Sequence, residues 1–202
     1  MILFKNRSND AYWYVYHVDT GNDTMTYLNL NNAAQSLSSQ FSTPTTTTFN
    51  VSNENSTFNG YNTNTDNYVA YVFADVQGFS KFSKYTGNGN ANGPFVYTGF
   101  APAFVIIKRT DSANDWIVHD YKLGTKNSTG SAKGNEGNLN SAAYRLNNTS
   151  AIDDWGDIDM LSTGFKPRSD AASTNASGGT YIYMAFAEHP FVTSTGIPTT
   201  AR

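Results

Sequence analysis

The feature that most constrains this chain is that it repeats itself. Lys5-Asn-Arg-Ser-Asn-Asp-Ala-Tyr-Trp13-Tyr-Val-Tyr-His17 lies over Lys108-Arg-Thr-Asp-Ser-Ala-Asn-Asp-Trp116-Ile-Val-His-Asp120 at a constant offset of 103. The offset holds to Gly21 and Gly124 and becomes 109 where Leu30-Asn-Asn-Ala-Ala34 meets Leu139-Asn-Ser-Ala-Ala143. It reaches 113 where Tyr68-Val-Ala-Tyr-Val-Phe73-Ala-Asp75 meets Tyr181-Ile-Tyr-Met-Ala-Phe186-Ala-Glu188. Four blocks in one order, with a drifting offset, describe two related units whose loops differ in length.

Each block reads as strand. Met1 to Lys5 and Phe104 to Lys108 are short apolar runs that end in a charge, and Trp13 to Tyr16 and Trp116 to Val118 follow polar turns at hairpin distance. Phe49 to Val51 and Ile158 to Phe165 supply a further strand in each unit. Tyr68 to Phe73 and Tyr181 to Phe186 are almost continuously apolar and aromatic, which predicts central strands covered on both faces. Composition agrees: Asn, Thr and Ser make up 67 of 202 residues, charged residues only 14%, and Glu occurs three times. Long surface helices lack their usual formers in such a chain. A helix is conceivable only over Asn31 to Gln40, where Ala, Gln, Ser and Leu cluster.

The expected fold is therefore an all-β antiparallel sandwich, jelly-roll or concanavalin-like, built from two internal repeats. Its expected parts are a first unit at 1–78, a Gly/Asn-rich connection at 79–94, a second unit at 95–191 and a C-terminal tail at 192–202. One asymmetry stands out. Tyr97-Thr-Gly-Phe-Ala-Pro102 leads into the second unit, whereas Met1 already aligns with Phe104. Either the first unit lacks an edge strand or the chain is cut from something longer; the second reading is favoured, because a missing lead strand bares a sheet edge.

Several stretches carry a family resemblance. Gly78-Phe-Ser-Lys-Phe82, Tyr85 to Phe100, Phe104-Val-Ile-Ile-Lys-Arg-Thr110 and Asn175 to Glu188 resemble a repeat domain of tail-fibre-like proteins encoded by bacteriophages of marine bacteria, cyanophages included. Pro190 to Arg202 is similar to the C-terminal end of such proteins. The resemblance implies a virion protein, located on the extracellular particle in a tail fibre or other appendage, that adsorbs to its host. It brings no catalytic residues with it. By analogy with fibres it also implies a homo-oligomer, such as a trimer, in contact with other virion proteins.

Charge and composition narrow the chemistry. Net charge is −3, and no basic run exceeds Lys108-Arg109, so binding nucleic acid by neutralising phosphates is disfavoured. No stretch approaches the roughly 20 apolar residues of a membrane-spanning helix. Zero Cys removes disulfides, thiolate catalysis and Cys-ligated zinc together. His17, His119 and His189 include no short-spaced pair of the kind zinc sites use, and no Gly-x-Ser-x-Gly elbow occurs.

The acids offer two readings. Asp75 and Glu188 close equivalent blocks and could suggest a glycan-cleaving pair, but a position doubled by repetition more often serves architecture, such as pairing with Lys5 or Lys108. No cofactor is expected beyond weakly held Ca²⁺, for which Asp153, Asp154, Asp157 and Asp159 are the candidate ligands around Gly156. That spacing is not an EF-hand loop.

Binding is the better-supported chemistry. Sugar C–H faces stack on aromatic rings while Asn and Asp side chains take the hydroxyls. Trp155 sits among acids and a glycine, and Tyr12, Tyr61, Tyr121 and Tyr144 also lie in polar surroundings; these five are the candidate ligand contacts. Trp13 and Trp116, doubled and beside apolar residues, read as core. Short polar side chains lose little rotamer entropy on contact, and few ion pairs leave little for salt to screen. The long loops Thr43 to Asp66 and Lys122 to Asp154 are where function is expected to sit. The sequence thus predicts a non-enzymatic virion module that recognises a host polysaccharide or other envelope component. Two alternatives stay open: a structural decoration, fibre or assembly module, and a glycan-cleaving tailspike domain.

Overall fold

In the computed structural model, residues 1–36, 41–52, 61–121, 142–150 and 158–190 are described. The strands, in chain order, are β1 (Ile2–Asn6), β2 (Trp13–Tyr16), β3 (Thr24–Tyr27), β4 (Gln35–Ser36) and β5 (Tyr68–Val72), then β6 (Ser80–Thr86), β7 (Val96–Tyr97), β8 (Pro102–Arg109), β9 (Trp116–Asp120), β10 (Ala142–Arg145), β11 (Ile158–Leu161), β12 (Gly164–Pro167) and β13 (Thr180–Ala187). They form three antiparallel sheets, ordered β4-β3-β2-β1-β5, β10-β9-β8-β13-β6 and β11-β12-β7. The fold is all-β, with sheets packed as in a sandwich. Among the described residues the one helical element is a single 3₁₀ turn at Val18–Thr20. The helix conceivable from Asn31 onward does not form: β4 occupies Gln35–Ser36, and 37–40 lie outside the described residues.

Alternation along the strands builds three cores. On one face of the first sheet, Ile2, Phe4, Tyr14, Tyr16, Met25 and Tyr27 pack under Phe41, Phe49, Val51 and Tyr61. Its other face, with Met1, Leu3 and Val15, meets Ile106, Trp116, Val118, Ile182 and Met184 of the second sheet. The far side of the second sheet, with Val105, Ile107, Tyr181 and Tyr183, is covered by Val96, Ile158 and Phe165 of the third. Two five-stranded sheets thus share a middle core, and each wears a separate outer cover.

Strand registers match between the two large sheets. Lys5 opposes Trp13 and Val69, while Lys108 opposes Trp116 and Ile182; Leu3 opposes Val15 and Tyr71, while Ile106 opposes Val118 and Met184. These are the same pairings at offsets 103 and 113. The third strands follow a different correspondence from the one the Leu-Asn blocks suggest. Leu28 donates its N–H to the Trp13 carbonyl at 2.9 Å, and Leu146 does the same to Trp116 at 3.1 Å. Leu28-Asn29 therefore corresponds to Leu146-Asn147; Leu139-Asn140 lies outside the described residues.

Two expectations need correction. β13 is central, between β8 and β6, and buried from Tyr181 to Ala185 and again at Ala187, but β5 is an edge strand with Ala70, Tyr71 and Val72 exposed. The reason is that β6 covers the outer edge of β13, and no described strand does this for β5. The repeated lysines also do not pair with the repeated acids. Lys5 Nζ donates to the Ala11 carbonyl (2.6 Å) and Lys108 Nζ to that of Asn114 (2.8 Å), the same clamp across the same hairpin.

The stretch 79–94 is only partly a connection, since it begins with β6 of the second sheet. The loop beyond is locked in place. The fully buried Asn175 donates from Nδ2 to Asn88 Oδ1, Asn90 O and Ser169 O, and its Oδ1 accepts the Asn88 N–H. A Cβ on Gly87 would stand 2.3 Å from the Ala176 carbonyl oxygen, so a residue without a side chain is required there.

Candidate functional site

The two repeated tryptophans start from one local geometry and end in different places. Each holds its backbone N–H on an asparagine Oδ1, Asn29 at 2.9 Å for Trp13 and Asn147 at 2.8 Å for Trp116. Trp116 is sunk in the middle core and donates its indole N–H to the Tyr27 carbonyl of the first sheet at 2.7 Å. Lys108, fully buried beside it, donates to Asn31 O (3.3 Å) and Arg109 O (2.8 Å) as well as to Asn114. Desolvation pulls the Lys108 ammonium down to about 8.

Trp13 escapes this burial. Only part of the first sheet's inner face is covered by the second, and Trp13 stays partly exposed at the uncovered corner. Its ring stacks on Tyr71 with centroids 6.2 Å apart and planes 25° from parallel. Tyr71 is 51% exposed because it sits on the open edge strand. The neighbouring β1–β2 hairpin presents Arg7, Ser8, Asn9 and Asp10 to solvent. A half-open aromatic pair can receive the apolar face of a sugar ring, while polar side chains of the same sheet end can take hydroxyls.

The predicted tyrosines do not come together. Tyr12 is exposed, with its ring 5.0 Å from Tyr27 of the outer core. Tyr61 is 2% exposed and packs edge-on against Tyr14, so its ring is not a surface a ligand meets. Tyr121 follows β9, its N–H bonded to Ala103 O at 2.8 Å. Tyr144 opposes Val118 and packs on the middle core, where burial raises the pKa of its hydroxyl.

A family model runs from residue 1 to residue 190, through all three sheets. The chain belongs to DUF7483, a domain of unknown function. No curated protein and no solved structure matches it.

Of the remaining candidates of this DUF7483 chain, those among the described residues are engaged by neighbouring groups. Trp155, Asp153, Asp154 and Asp157 lie outside the described residues. Asp159 is buried and ion-paired with Arg168. Among the described residues no three His, Asp or Glu side chains are grouped to hold a metal. Asp75 accepts the Phe82 N–H at 2.7 Å and pairs with Lys81, and Glu188 lies 3.9 Å from the His189 imidazole. His17 is buried between the large sheets. Its Nδ1 accepts the Asp19 N–H (3.2 Å), which leaves the proton on Nε2 to donate to Tyr183 O at 3.3 Å. Desolvation pulls the imidazole down to about 4, so it is neutral at ordinary pH.

Sequence reasoning missed the Trp13–Tyr71 pair by assigning Trp13 to the core and Tyr71 to a central strand. No signal in the residues themselves separates them, since Trp13 and Tyr71 occupy the repeat positions of the buried Trp116 and Met184.

Proposed function

We propose that this DUF7483 chain is a non-enzymatic bacteriophage virion module of the tail-fibre type, adsorbing to a host-surface glycan through the Trp13–Tyr71 stack. The observation that carries the reading is the exposure of this stack in a position whose repeat counterpart, Trp116, is wholly buried. Core packing accounts for Trp116 and leaves Trp13 unexplained. The resemblance of the sequence to marine phage tail-fibre repeats supplies the setting, and the matching registers of the two large sheets support descent from one duplicated unit.

The test is a glycan array and whole-cell adsorption with the folded chain, alongside Trp13→Ala and Tyr71→Ala. Binding to an envelope polysaccharide that falls several-fold to tenfold or more in either variant is the expected result, since a stacked ring contributes about 0.5–1.5 kcal/mol beyond its buried area and about 1.4 kcal/mol is tenfold. No glycan binding, or binding unchanged after both rings are removed, overturns the reading. Release of reducing sugar that disappears in Asp75→Asn or Glu188→Gln would overturn its non-enzymatic part. A purely architectural role in the particle is the second reading, favoured by the bare edge of β5; binding to virion proteins alone supports it.

A further inference from the structure

The outer edge of β5 has a definite hydrogen-bonding pattern. Met1 and Phe73 exchange both backbone bonds (3.1 and 2.9 Å), and the Arg7 N–H reaches Asn67 O at 2.7 Å. In an antiparallel ladder, alternate residues point their backbone groups to the same side. Val69 and Tyr71, in step with Asn67 and Phe73, therefore spend theirs on β1, and Tyr68, Ala70 and Val72 aim N–H and C=O outward. Among the described residues no strand meets them.

This edge also lacks the usual guards. Sheets protect their margins with lysine, proline, bulges or very short strands. The matching edge of the second sheet, β6, carries Lys81 and Lys84, and β4 on the far margin of the first is two residues long. β5 reads Tyr-Val-Ala-Tyr-Val with no charge. Tyr71 (51%) and Val72 (63%) are exposed on it.

The segment is complementary to itself. Turned antiparallel about Ala70, Tyr68 faces Val72 of a second copy, Val69 faces Tyr71, and Ala70 faces Ala70. Aromatic residues opposite β-branched ones are among the favourable cross-strand pairs, and the small alanines leave the centre free of steric conflict. The outward groups of Tyr68, Ala70 and Val72 then meet the same groups of the second copy, closing six backbone bonds. No bare like charges oppose, since Asp75 at one end is neutralised by Lys81 and Asp66 at the other is held by Asn6 and Asn9.

We infer that β5 pairs with β5 of a second copy of this chain about a two-fold axis at Ala70, joining two first sheets into one continuous antiparallel sheet. The pairing brings the two Trp13–Tyr71 stacks onto one face of that sheet as a doubled aromatic row. The inference stands apart from the proposed ligand, because it rests on backbone groups and strand sequence alone.

The experiment is sedimentation equilibrium of the full chain across a concentration series, with amide exchange measured at both ends of the series. The expected result is a monomer–dimer equilibrium in which the amides of Tyr68, Ala70 and Val72 gain tenfold or more protection with concentration while those of Val69 and Tyr71 do not change. Ala70→Pro removes an outward N–H that β1 does not use, and Val72→Lys adds the missing edge charge; each should weaken the dimer at least tenfold. Both variants keep Trp13 and Tyr71, so unchanged monomer glycan binding separates this inference from the proposed function. A chain that stays monomeric throughout overturns it. So does a dimer that ignores both variants, or one that leaves those three amides unprotected.

Discussion

Replacing the two repeated tryptophans by phenylalanine should have sharply unequal consequences. In Trp116→Phe the indole N–H that meets Tyr27 O at 2.7 Å is lost, leaving that buried carbonyl only the long bond from the Leu30 N–H at 3.5 Å, at about 1–3 kcal/mol. The smaller ring also leaves a gap in a core where Trp116 is 2% exposed, adding roughly 1 kcal/mol. The total of about 3 kcal/mol corresponds to a Tm lowered by roughly 6–12 °C for a domain of this size. Trp13→Phe touches a ring that solvent already reaches, and its backbone bond to Asn29 is unaffected, so the cost should stay below about 1 kcal/mol. Urea and thermal unfolding of the two variants against the parent chain measure both. Equal destabilisation, or an unmoved Tm in Trp116→Phe, would refute the assignment of one tryptophan to the core and the other to the surface.

Acid should loosen the joint between the large sheets. His17 sits at about 4 when folded against about 6.5 when unfolded, so its contribution is whole above pH 6.5 and is lost as pH falls towards 4, by about 3 kcal/mol in all. Urea titrations at a series of pH values should show that slope, and His17→Gln should flatten it. Gly87→Ala forces a backbone shift, because the new Cβ would lie 2.3 Å from Ala176 O; a loss of about 1–3 kcal/mol in thermal unfolding is expected, with the Asn88 and Asn175 amides exchanging faster.

How far the sequence could be read depended on whether a residue's fate is local or set by packing. Strand positions and hairpins were legible, since alternation and turn residues act within a few positions: Lys5, Trp13, Lys108 and Trp116 stand in matching places. The correspondence of Leu28-Asn29 with Leu146-Asn147 escaped, because pairing across strands and not spacing along the chain defines it. β5 was misplaced for a similar reason. Its apolar composition is that of β13, and what makes it an edge is that no strand among the described residues lies beyond it. Tyr61 carried no sign of burial, as polar neighbours along the chain say nothing about the ring's neighbours in space. The lysine clamps were hidden because backbone carbonyls leave no trace in a residue list.

The shared middle core divides the freedom to vary unevenly across the molecule. A change there must satisfy two sheets at once, with Trp116, Lys108 and His17 each tying one to the other. Each outer cover answers to a single sheet, and the two are made differently: Phe41, Phe49, Val51 and Tyr61 on one side, β7, β11 and β12 on the other. Drift in one cover can therefore proceed without compensation in the other, so a lineage can remodel the two broad faces of the molecule at separate rates around an interior that hardly moves.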